Sequence, residues 1–528
     1  MKKRIMILGA GIMQIPAIKI AKTTGFTSIV LDGNPEAPGK DLADIFECID
    51  LKDKKRILEL AKRLKSEDEG LAGIMTAGTD FSSSVAFAAE KLNLPGIPYE
   101  VALDCSDKER MRRRFAACNV PSPAFLVLSD LPKENFHLPF PFPVVVKPVD
   151  NMGSRGCRRV ENSSELSGAV LDALSFSGSK RVIVEEYMDG PEFSVDAIVH
   201  HGKVTICGLA DRHIFFPPYF IEMGHTMPSD IALDTEAALL NTFIAGVQAL
   251  GITEGAAKGD IKLGSKGPMI GEIAARLSGG YMSGWTYPYA SGAHATQGAL
   301  LVAVGEEPDG LEPEFHRVSA ERAFISIPGT IDSIHGLDKA KNTKWIKDIF
   351  LRVKAGDTVS FPENNVGKCG NIISAAPKRD QAISGAEQAA RAILIRLASP
   401  DKATDFFLAS PLDTQFPPSA FSPHTSILRA LEKLPESFPK AANQKLCLYP
   451  FPELLNSGLK DYMGRSVNES LNAVRALSGD PLPFLAEDES PPDGNEVGKN
   501  AVLGKKFWQF FLRGGYQGAL YFLDSLKK

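Results

Sequence analysis

The sequence lacks the cysteine pattern of a disulfide-bonded protein or of a cysteine-ligated zinc site. Its seven cysteines are an odd number, lie far apart and form no CxxC pair. Both kinds of structure need paired or closely spaced thiols. The sequence therefore predicts reduced cysteines and a cytoplasmic location.

Long apolar runs and an excess of basic charge are also missing. No run of about 20 apolar residues occurs, so no integral membrane segment is expected. The formal net charge of −5 provides no basic field for nucleic acid. With 44% hydrophobic and 23% charged residues among 528 positions, the composition is that of an ordinary globular protein of several domains.

Two common nucleotide-binding patterns are absent or incomplete. The Walker A pattern, GxxxxGK[ST], does not occur. Gly9-Ala10-Gly11 follows a predicted strand, and Asp32 lies about twenty residues further on, but Gln14 stands where a dinucleotide-binding turn has its third glycine. NAD binding is therefore disfavoured, and we interpret residues 1–103 as an α/β domain on the substrate side.

The remaining chain divides into three regions by composition. Strands with interposed helices predict an α+β domain over residues 104–310 and a further α+β subdomain over 311–400. In the extension at 401–528, whose role is not predicted, residues 481–495 resemble an acidic linker. For the aromatic tail from Lys505 we favour packing on the protein itself over packing in a homodimer or on a membrane surface.

The segment from Asp260 to Gly280 carries the densest chemistry. Short β-rich runs flank Gly264 to Gly267, which predicts a hairpin with Asp260 nearly opposite Glu272. Two carboxylates this close repel each other unless a cation or a proton lies between them, and hard oxygen ligands suit Mg²⁺ or Mn²⁺. Arg276 adds a permanent cation for a phosphoryl or carboxylate oxygen. A solvated charged hairpin is the alternative.

A lysine and a glycine-containing loop come earlier in the chain. Three valines place Lys147 at the end of a predicted buried strand, where an unpaired charge would be costly. In the loop that follows, Gly153, Ser154 and Gly156 allow backbone N–H groups to approach phosphates closely. An ordinary hairpin turn is the alternative.

An acidic connection joins the next two predicted strands. Extended backbone at Glu185, Glu186 and Tyr187 can form hydrogen bonds with an adenine edge, and Glu192 can accept from ribose hydroxyls. A charged turn between strands is the alternative.

The order of these features, preceded by Lys108, resembles the ATP-grasp superfamily over residues 100–300. The resemblance implies a multidomain α/β and α+β fold, with a Rossmann-like pre-ATP-grasp domain, a two-lobed ATP-grasp domain and a C-terminal extension. It implies that Lys108 and Lys147 contact the phosphates of ATP and that Asp260 and Glu272 bind Mg²⁺. Arg276 resembles the arginine that stabilises the acyl phosphate and the tetrahedral intermediate.

Two further segments are similar to those of amino-acid ligases and carbamoyl-phosphate-synthetase-like proteins. This similarity implies that Glu222, His225, Ser278 and Gly279 lie near the acceptor or carboxylate substrate. One position departs from the family pattern, because Ala274 stands where asparagine is common. That substitution puts the second metal ion of the site in doubt.

The function predicted from the sequence is an ADP-forming ligase that joins a small-molecule carboxylate to an amine, using ATP and Mg²⁺ and acting through an acyl phosphate. Two alternatives stay open. One is an ATP-grasp carboxylase or purine-pathway-type enzyme that uses bicarbonate or formate, and the other is a non-catalytic ATP-binding module. The sequence does not identify the two substrates.

Overall fold

The computed structural model describes residues 3–133, 136–436, 445–485 and 500–527. These residues form two compact units, one of residues 1–321 with 373–383 and the other of residues 322–372 with 384–528. The first unit therefore contains both of the first two predicted domains. The predicted acidic linker lies outside the described residues from position 486 onwards.

The strands, in chain order, are β1 (Arg4–Leu8), β2 (Thr27–Asp32), β3 (Ile45–Cys48), β4 (Leu71–Thr76), β5 (Phe125–Leu128), β6 (Val144–Pro148), β7 (Arg158–Val160), β8 (Val182–Glu186), β9 (Glu192–His200), β10 (Lys203–Phe215), β11 (Ile221–Met227), β12 (Gly255–Gly264), β13 (Gly267–Ala274), β14 (Val318–Phe324), β15 (Gly329–His335), β16 (Ile346–Leu351), β17 (Thr358–Val359), β18 (Gly370–Ala376), β19 (Leu394–Leu397), β20 (Lys445–Leu448) and β21 (Asn500–Leu503).

The α-helices are α1 (Ile15–Thr23), α2 (Lys54–Ser66), α3 (Ser82–Lys91), α4 (Tyr99–Ser106), α5 (Lys108–Ala117), α6 (Ser163–Phe176), α7 (Leu233–Leu250), α8 (Tyr287–Ser291), α9 (Ala295–Ala303), α10 (Leu337–Lys341), α11 (Arg379–Ala392), α12 (Lys402–Ala409), α13 (Thr425–Leu431), α14 (Pro452–Leu455), α15 (Val467–Ser478) and α16 (Lys505–Ser525). Within the described residues, none of them combines the length and the apolar character needed to cross a membrane.

The N-terminal sheet has the strand order β3–β2–β1–β4, and its paired strands are parallel. Parallel strands are covered by helices on both faces, which explains the fully buried apolar run from Ile5 to Leu8. The arrangement brings the carboxyl ends of β1 and β4 to the same edge of the sheet. The predicted α/β character of this region is confirmed.

A second sheet, in the order β5–β8–β6–β7, is antiparallel. Alternate valines of β6, Val144 and Val146, pack with Leu166 and Val170 of α6 in one hydrophobic core. Because side chains alternate along a strand, Lys147 is directed to the face away from that core. The period of the strand thus determines which face carries the lysine.

The third sheet of the first unit runs in the order β13–β12–β9–β10–β11–β14–β18. Helix α7 lies over its β12–β13 end, where Phe243 and Val247 share a buried core with Ile261, Ile270 and Ile273. This mixture of an antiparallel sheet and covering helices confirms the predicted α+β character.

In the second unit, the aromatic tail is helix α16, and it packs within that unit as favoured from the sequence. Trp508 and Phe511 are fully buried beside Phe421 and Phe451. The indole Nε1 of Trp508 donates a hydrogen bond to the Tyr449 carbonyl at 2.9 Å, so its polar atom is also satisfied.

The close approach of α9 to β4 gives a first prediction. A Cβ added at Gly73 would lie 1.9 Å from the backbone oxygen of Ala303, so Gly73→Ala requires the helix to move. We expect the free energy of unfolding to fall by about 3 kcal/mol.

Urea denaturation would measure this change, with Gly168→Ala in α6 as the matched control. The nearest atom to an added Cβ at Gly168 is 3.6 Å away, so the control should be neutral or stabilising by up to about 1 kcal/mol. Equal stability of the two variants would contradict the described packing of α9.

Candidate active site

The predicted hairpin is formed by β12 and β13, and Asp260 pairs directly with Glu272 across it. Asp260 Oδ1 accepts a hydrogen bond from Ser194 Oγ at 2.8 Å, while Oδ2 forms an ion pair with Lys258 and lies 3.2 Å from Arg212 Nη1. Burial would raise the pKa of Asp260, but Arg212 and Lys258 outweigh it and lower this pKa. The Asp260 side chain is therefore a carboxylate.

Glu272 is held in its ionised form by the surrounding cations. Burial acts to raise its pKa, but Lys108, Lys258 and Arg276 together lower it to about 2. Among these cations, Lys108 lowers the pKa of Glu272 most, and its Nζ lies 3.5 Å from Glu272 Oε2. The two opposing carboxylates are thus both charged.

The start of helix α5 positions Lys108. Its N-cap residue, Asp107, accepts hydrogen bonds from the backbone N–H groups of Glu109 and Arg110, which begins the helix at Lys108. The Lys108 ammonium donates to the Asn151 carbonyl at 2.7 Å and so links Glu272 to the glycine-containing loop. Burial opposes the charge of Lys108, but Glu272 and Asp80 outweigh it and raise its pKa.

A second lysine is fixed by a buried carboxylate. Lys147 Nζ lies 2.6 Å from Glu185 Oε2, and Glu185 Oε1 lies 2.9 Å from Nη2 of the fully buried Arg112. Glu185 faces Val145 in the register of β6 and β8, so Lys147 is its diagonal neighbour on the same face. Burial would raise the pKa of Glu185, but Arg112 and Lys147 lower it.

The role that the sequence suggested for Glu185 concerned its backbone, whereas this ion pair involves its side chain. Hydrogen bonds from its backbone to an adenine edge stay a prediction, while its carboxylate is 2% exposed and faces the two cations. The physical reason is that β8 extends through Glu186, so Glu185 still follows the alternation of the strand and points inwards.

The loop after β6 contains a left-handed turn. Gly153, Ser154 and Gly156 have φ values of 67°, 60° and 66°. At Gly156 an added Cβ would lie 2.8 Å from the Phe176 ring, so a glycine is needed there for space as well as for conformation. The loop backbone therefore turns tightly beside the Asn151 carbonyl, which accepts a hydrogen bond from Lys108.

The predicted hinge residues lie beside the tip of the hairpin. Glu186 forms an ion pair with Lys266. The Tyr187 ring is flanked by two cations, Arg159 at 4.3 Å and Lys262 at 4.9 Å from the ring centre. These contacts attach the β8–β9 connection to the β12–β13 hairpin.

A central arginine, Arg212 of β10, was not predicted from the sequence. It forms ion pairs with Glu192 and Glu222 as well as with Asp260. Burial alone would lower its pKa, but these three carboxylates raise it well above the ordinary value. Its signal in the sequence is the polar run Asp211-Arg212-His213 between apolar residues of β10.

Beyond Glu222, the network continues through His225. The imidazole is 1% exposed, with Nδ1 2.9 Å from Glu321 Oε2 and Nε2 3.5 Å from Glu222 Oε2. Burial disfavours the imidazolium, but Glu222 and Glu321 raise the pKa of His225 to about 9. His225 is therefore positively charged at neutral pH.

The segment after Glu272 turns beside the N-terminal sheet. Arg276 Nη1 donates to the Leu277 carbonyl at 3.1 Å, and Ser278 Oγ donates to Asp196 Oδ2 at 2.6 Å. Burial raises the pKa of Asp196 to about 6 despite that hydrogen bond. At Gly279, an added Cβ would lie 2.7 Å from the Gly78 carbonyl oxygen, which excludes a larger residue.

Asp80 is a second residue that sequence reasoning missed. It follows β4, and within the described part of the chain its buried Oδ1 has no hydrogen-bond partner. Burial raises its pKa, whereas the neighbouring charge of Arg276 acts in the opposite direction. A buried carboxylate oxygen without a partner, in the field of an arginine, is typical of functional sites.

Comparison with known proteins agrees with this geometry. Residues 140–284 match the family model of the ATP-grasp domain, and residues 323–398 match L-amino acid ligase C-terminal domain 2. The first of these matches places an ATP-grasp domain within residues 140–284 of the chain. The chain is similar to carboxylate–amine ligases that share these domains.

Two curated relatives and one solved structure illustrate the similarity. The chain is 27% identical to 3-methyl-D-ornithine–L-lysine ligase of Methanosarcina barkeri over 44% of its own length and 60% of that protein. It is 24% identical to carnosine synthase 1 of Gallus gallus over 58% of its length and 36% of that protein. The crystal structure of L-amino acid ligase from Bacillus licheniformis matches with a TM-score of 0.65 at 21% identity, covering 75% of this chain and 99% of that one.

The charge of His225 gives a prediction about pH. Because its pKa of about 9 in the folded protein exceeds the ordinary value of 6.5, the imidazolium stabilises the fold fully below pH 6.5, and this contribution is lost as the pH rises through about 9. We expect wild-type protein to lose about 3 kcal/mol over that range relative to His225→Gln.

Urea unfolding at about pH 6 and about pH 10 would test this difference. His316→Gln, at an exposed histidine, is the control and should follow the wild type. A His225→Gln variant whose stability falls in parallel with the wild type would contradict the assigned charge.

Proposed function

We propose that this chain is an ADP-forming ligase that joins a small carboxylate to an amine through an acyl phosphate. The observation that carries the proposal is the directly opposed pair of ionised carboxylates, Asp260 and Glu272, with Arg276 following in the same segment. The match to the L-amino acid ligase C-terminal domain supports an amine as the acceptor. Because all seven cysteines are free thiols, we place the reaction in the reducing cytoplasm.

The donor set at Asp260 and Glu272 fits a divalent cation such as Mg²⁺ or Mn²⁺. Both groups have lowered pKa values, so two anionic oxygen ligands face each other at neutral pH. A bound Mg²⁺ would neutralise charge on phosphate oxygens during phosphoryl transfer. Ala274 supplies no donor atom where the family often has asparagine, so Glu272 carries that side of the site.

The groups that surround these carboxylates suit ATP as the substrate. Lys108 and Lys147 would hold phosphate oxygens, and Glu185 keeps the Lys147 ammonium in place before ATP binds. The amides of the loop at Gly153 to Gly156 would add neutral donors. The backbone after β8 would meet the base, and Glu192 would share its oxygens between Arg212 and the ribose.

The reaction then proceeds in two steps. An oxygen of the substrate carboxylate attacks the γ-phosphorus, and the bond to ADP breaks. The amine next attacks the acyl carbon, phosphate leaves, and Arg276 stabilises the negative oxygen that develops. Asp80, beside Arg276 and with a raised pKa, is suited to accept the proton that the amine loses.

The first functional prediction concerns Glu272. Glu272→Gln keeps the shape of the side chain but removes the charge, so ADP formation should fall by at least about 10²-fold while the fold is retained. Coupled measurement of ADP release would detect the loss.

Glu59→Gln, at an exposed glutamate of α2, is the matched control and should keep wild-type turnover. Circular dichroism would confirm that both variants are folded. A folded Glu272→Gln protein with undiminished turnover would remove the metal-site assignment.

The second functional prediction concerns the acyl phosphate. Hydroxylamine should trap it as a hydroxamate in an ATP-dependent reaction. Arg276→Met should still bind ATP, because Lys108, Lys147 and the loop remain, but hydroxamate formation should fall by about 10²–10³-fold.

A panel of carboxylates, each assayed with and without hydroxylamine, would check this outcome. If ADP forms with bicarbonate while no carboxylate yields a hydroxamate, the chain is a carboxylase. If ATP binds but no ADP forms with any substrate, the non-catalytic alternative holds.

A further inference from the structure

A second cluster of possible metal ligands lies at the other end of β9 from the carboxylate pair. His200 ends β9 and His201 begins the turn to β10, while Glu254 precedes β12 and Glu307 follows α9. In the register of β9 and β12, Ser194 pairs with Asp260 and Val199 pairs with Gly255. His200 and Glu254 each lie one residue beyond that second pair, so at about 3.4 Å per residue the cluster is about 20 Å along the sheet from Asp260.

The two imidazoles share one carboxylate. His200 Nδ1 lies 2.9 Å from Glu254 Oε2, and His201 Nδ1 lies 3.0 Å from Glu254 Oε1. The backbone N–H of His201 also donates to Glu254 Oε1 at 3.0 Å. A neutral imidazole that donates its Nδ1 proton to a carboxylate carries its lone pair on Nε2, and this is how proteins orient histidine ligands of metal ions.

The remaining donor atoms have the spacing of metal ligands. His200 Nε2 lies 3.4 Å from Glu307 Oε1. Two ligand atoms about 2.0–2.1 Å from a tetrahedral Zn²⁺ are about 3.4 Å apart. One ring nitrogen from each histidine and one oxygen of Glu307 all lie within 4.8 Å of one another, and the two imidazole ring centres are 3.9 Å apart.

The conformation of the turn favours this convergence. His201 has a left-handed backbone φ of 49°, which residues other than glycine rarely adopt. Gly202 then returns the chain through a hydrogen bond from its N–H to the Thr253 carbonyl at 3.0 Å, beside Glu254. The backbone thus brings adjacent histidines, which would diverge in a regular strand, to the same carboxylate.

We propose that His200, His201 and Glu307 bind a transition-metal ion, with Zn²⁺ as the best fit, and that Glu254 positions both imidazoles. Imidazole nitrogen with one carboxylate oxygen is a donor set typical of Zn²⁺. Three protein ligands leave a fourth position for water. The site is separate from the Asp260–Glu272 pair and does not depend on the proposed ligase reaction.

The alternative is that the histidines only form hydrogen bonds and ion pairs with the two glutamates. A metal site and a purely structural cluster give Glu254 different roles. If the cluster is merely structural, Glu254→Gln changes stability and nothing else. If the cluster binds metal, Glu254→Gln weakens metal affinity by about 10–100-fold while His201→Ala removes a ligand.

Titration of the full chain with Co²⁺ would test the proposal, because Co²⁺ bound in a tetrahedral N/O site absorbs visible light. Zn²⁺ that displaces the Co²⁺ should abolish this absorption. Excess Mg²⁺ is kept present so that the Asp260–Glu272 pair does not contribute. The wild type should bind one Co²⁺ with this spectrum. His201→Ala, at a side chain that is 75% exposed, should lose it without loss of fold.

His200→Ala should give the same loss, and Glu254→Gln should retain the spectrum at about 10–100-fold weaker affinity. His316→Ala, at an exposed histidine outside the cluster, should bind like the wild type. Wild-type protein that shows no tetrahedral spectrum, or His200→Ala and His201→Ala proteins that bind Co²⁺ as the wild type does, would overturn the proposal.

Discussion

The repulsion between Asp260 and Glu272 determines how the charged groups around them are arranged. Opposed side chains of an antiparallel pair lie about 5 Å apart, and partial burial reduces the screening that water would provide. Arg212 and Lys258 compensate one carboxylate and Lys108 the other. These cations are also largely buried, so each of them needs further carboxylate or carbonyl partners, which neighbouring helices and strands supply.

The network therefore extends over much of the first unit. Arg212 engages Glu192 and Glu222, and Glu222 in turn supports the charge of His225. On the other side, Glu185 holds Lys147. Protein carboxylates thus orient these cations. In the proposed reaction, phosphate oxygens would replace some of these partners, and little reorganisation would be needed.

Much of this site follows from local patterns in the sequence. The glycines between two β-rich runs predict the hairpin, and the alternation along β6 predicts that Lys147 leaves the apolar core. Arg212, Asp80 and the partners of Glu185 are different, because their positions depend on segments that are far apart in the chain and meet only through sheet order. No spacing within the sequence encodes such a meeting, and the inward direction of Glu185 depends on where β8 ends.

Residues 373–383 belong to the first unit although the chain between 322 and 372 belongs to the second. Ser319 Oγ donates to the Ser374 carbonyl at 2.9 Å, one of the contacts that this returning segment completes. During synthesis on the ribosome, a nascent chain that has just passed residue 321 still lacks this part of its own first unit. The first unit can reach its final form only after the whole of the 322–372 segment has been translated, so part of the second unit is synthesised before the first unit is complete.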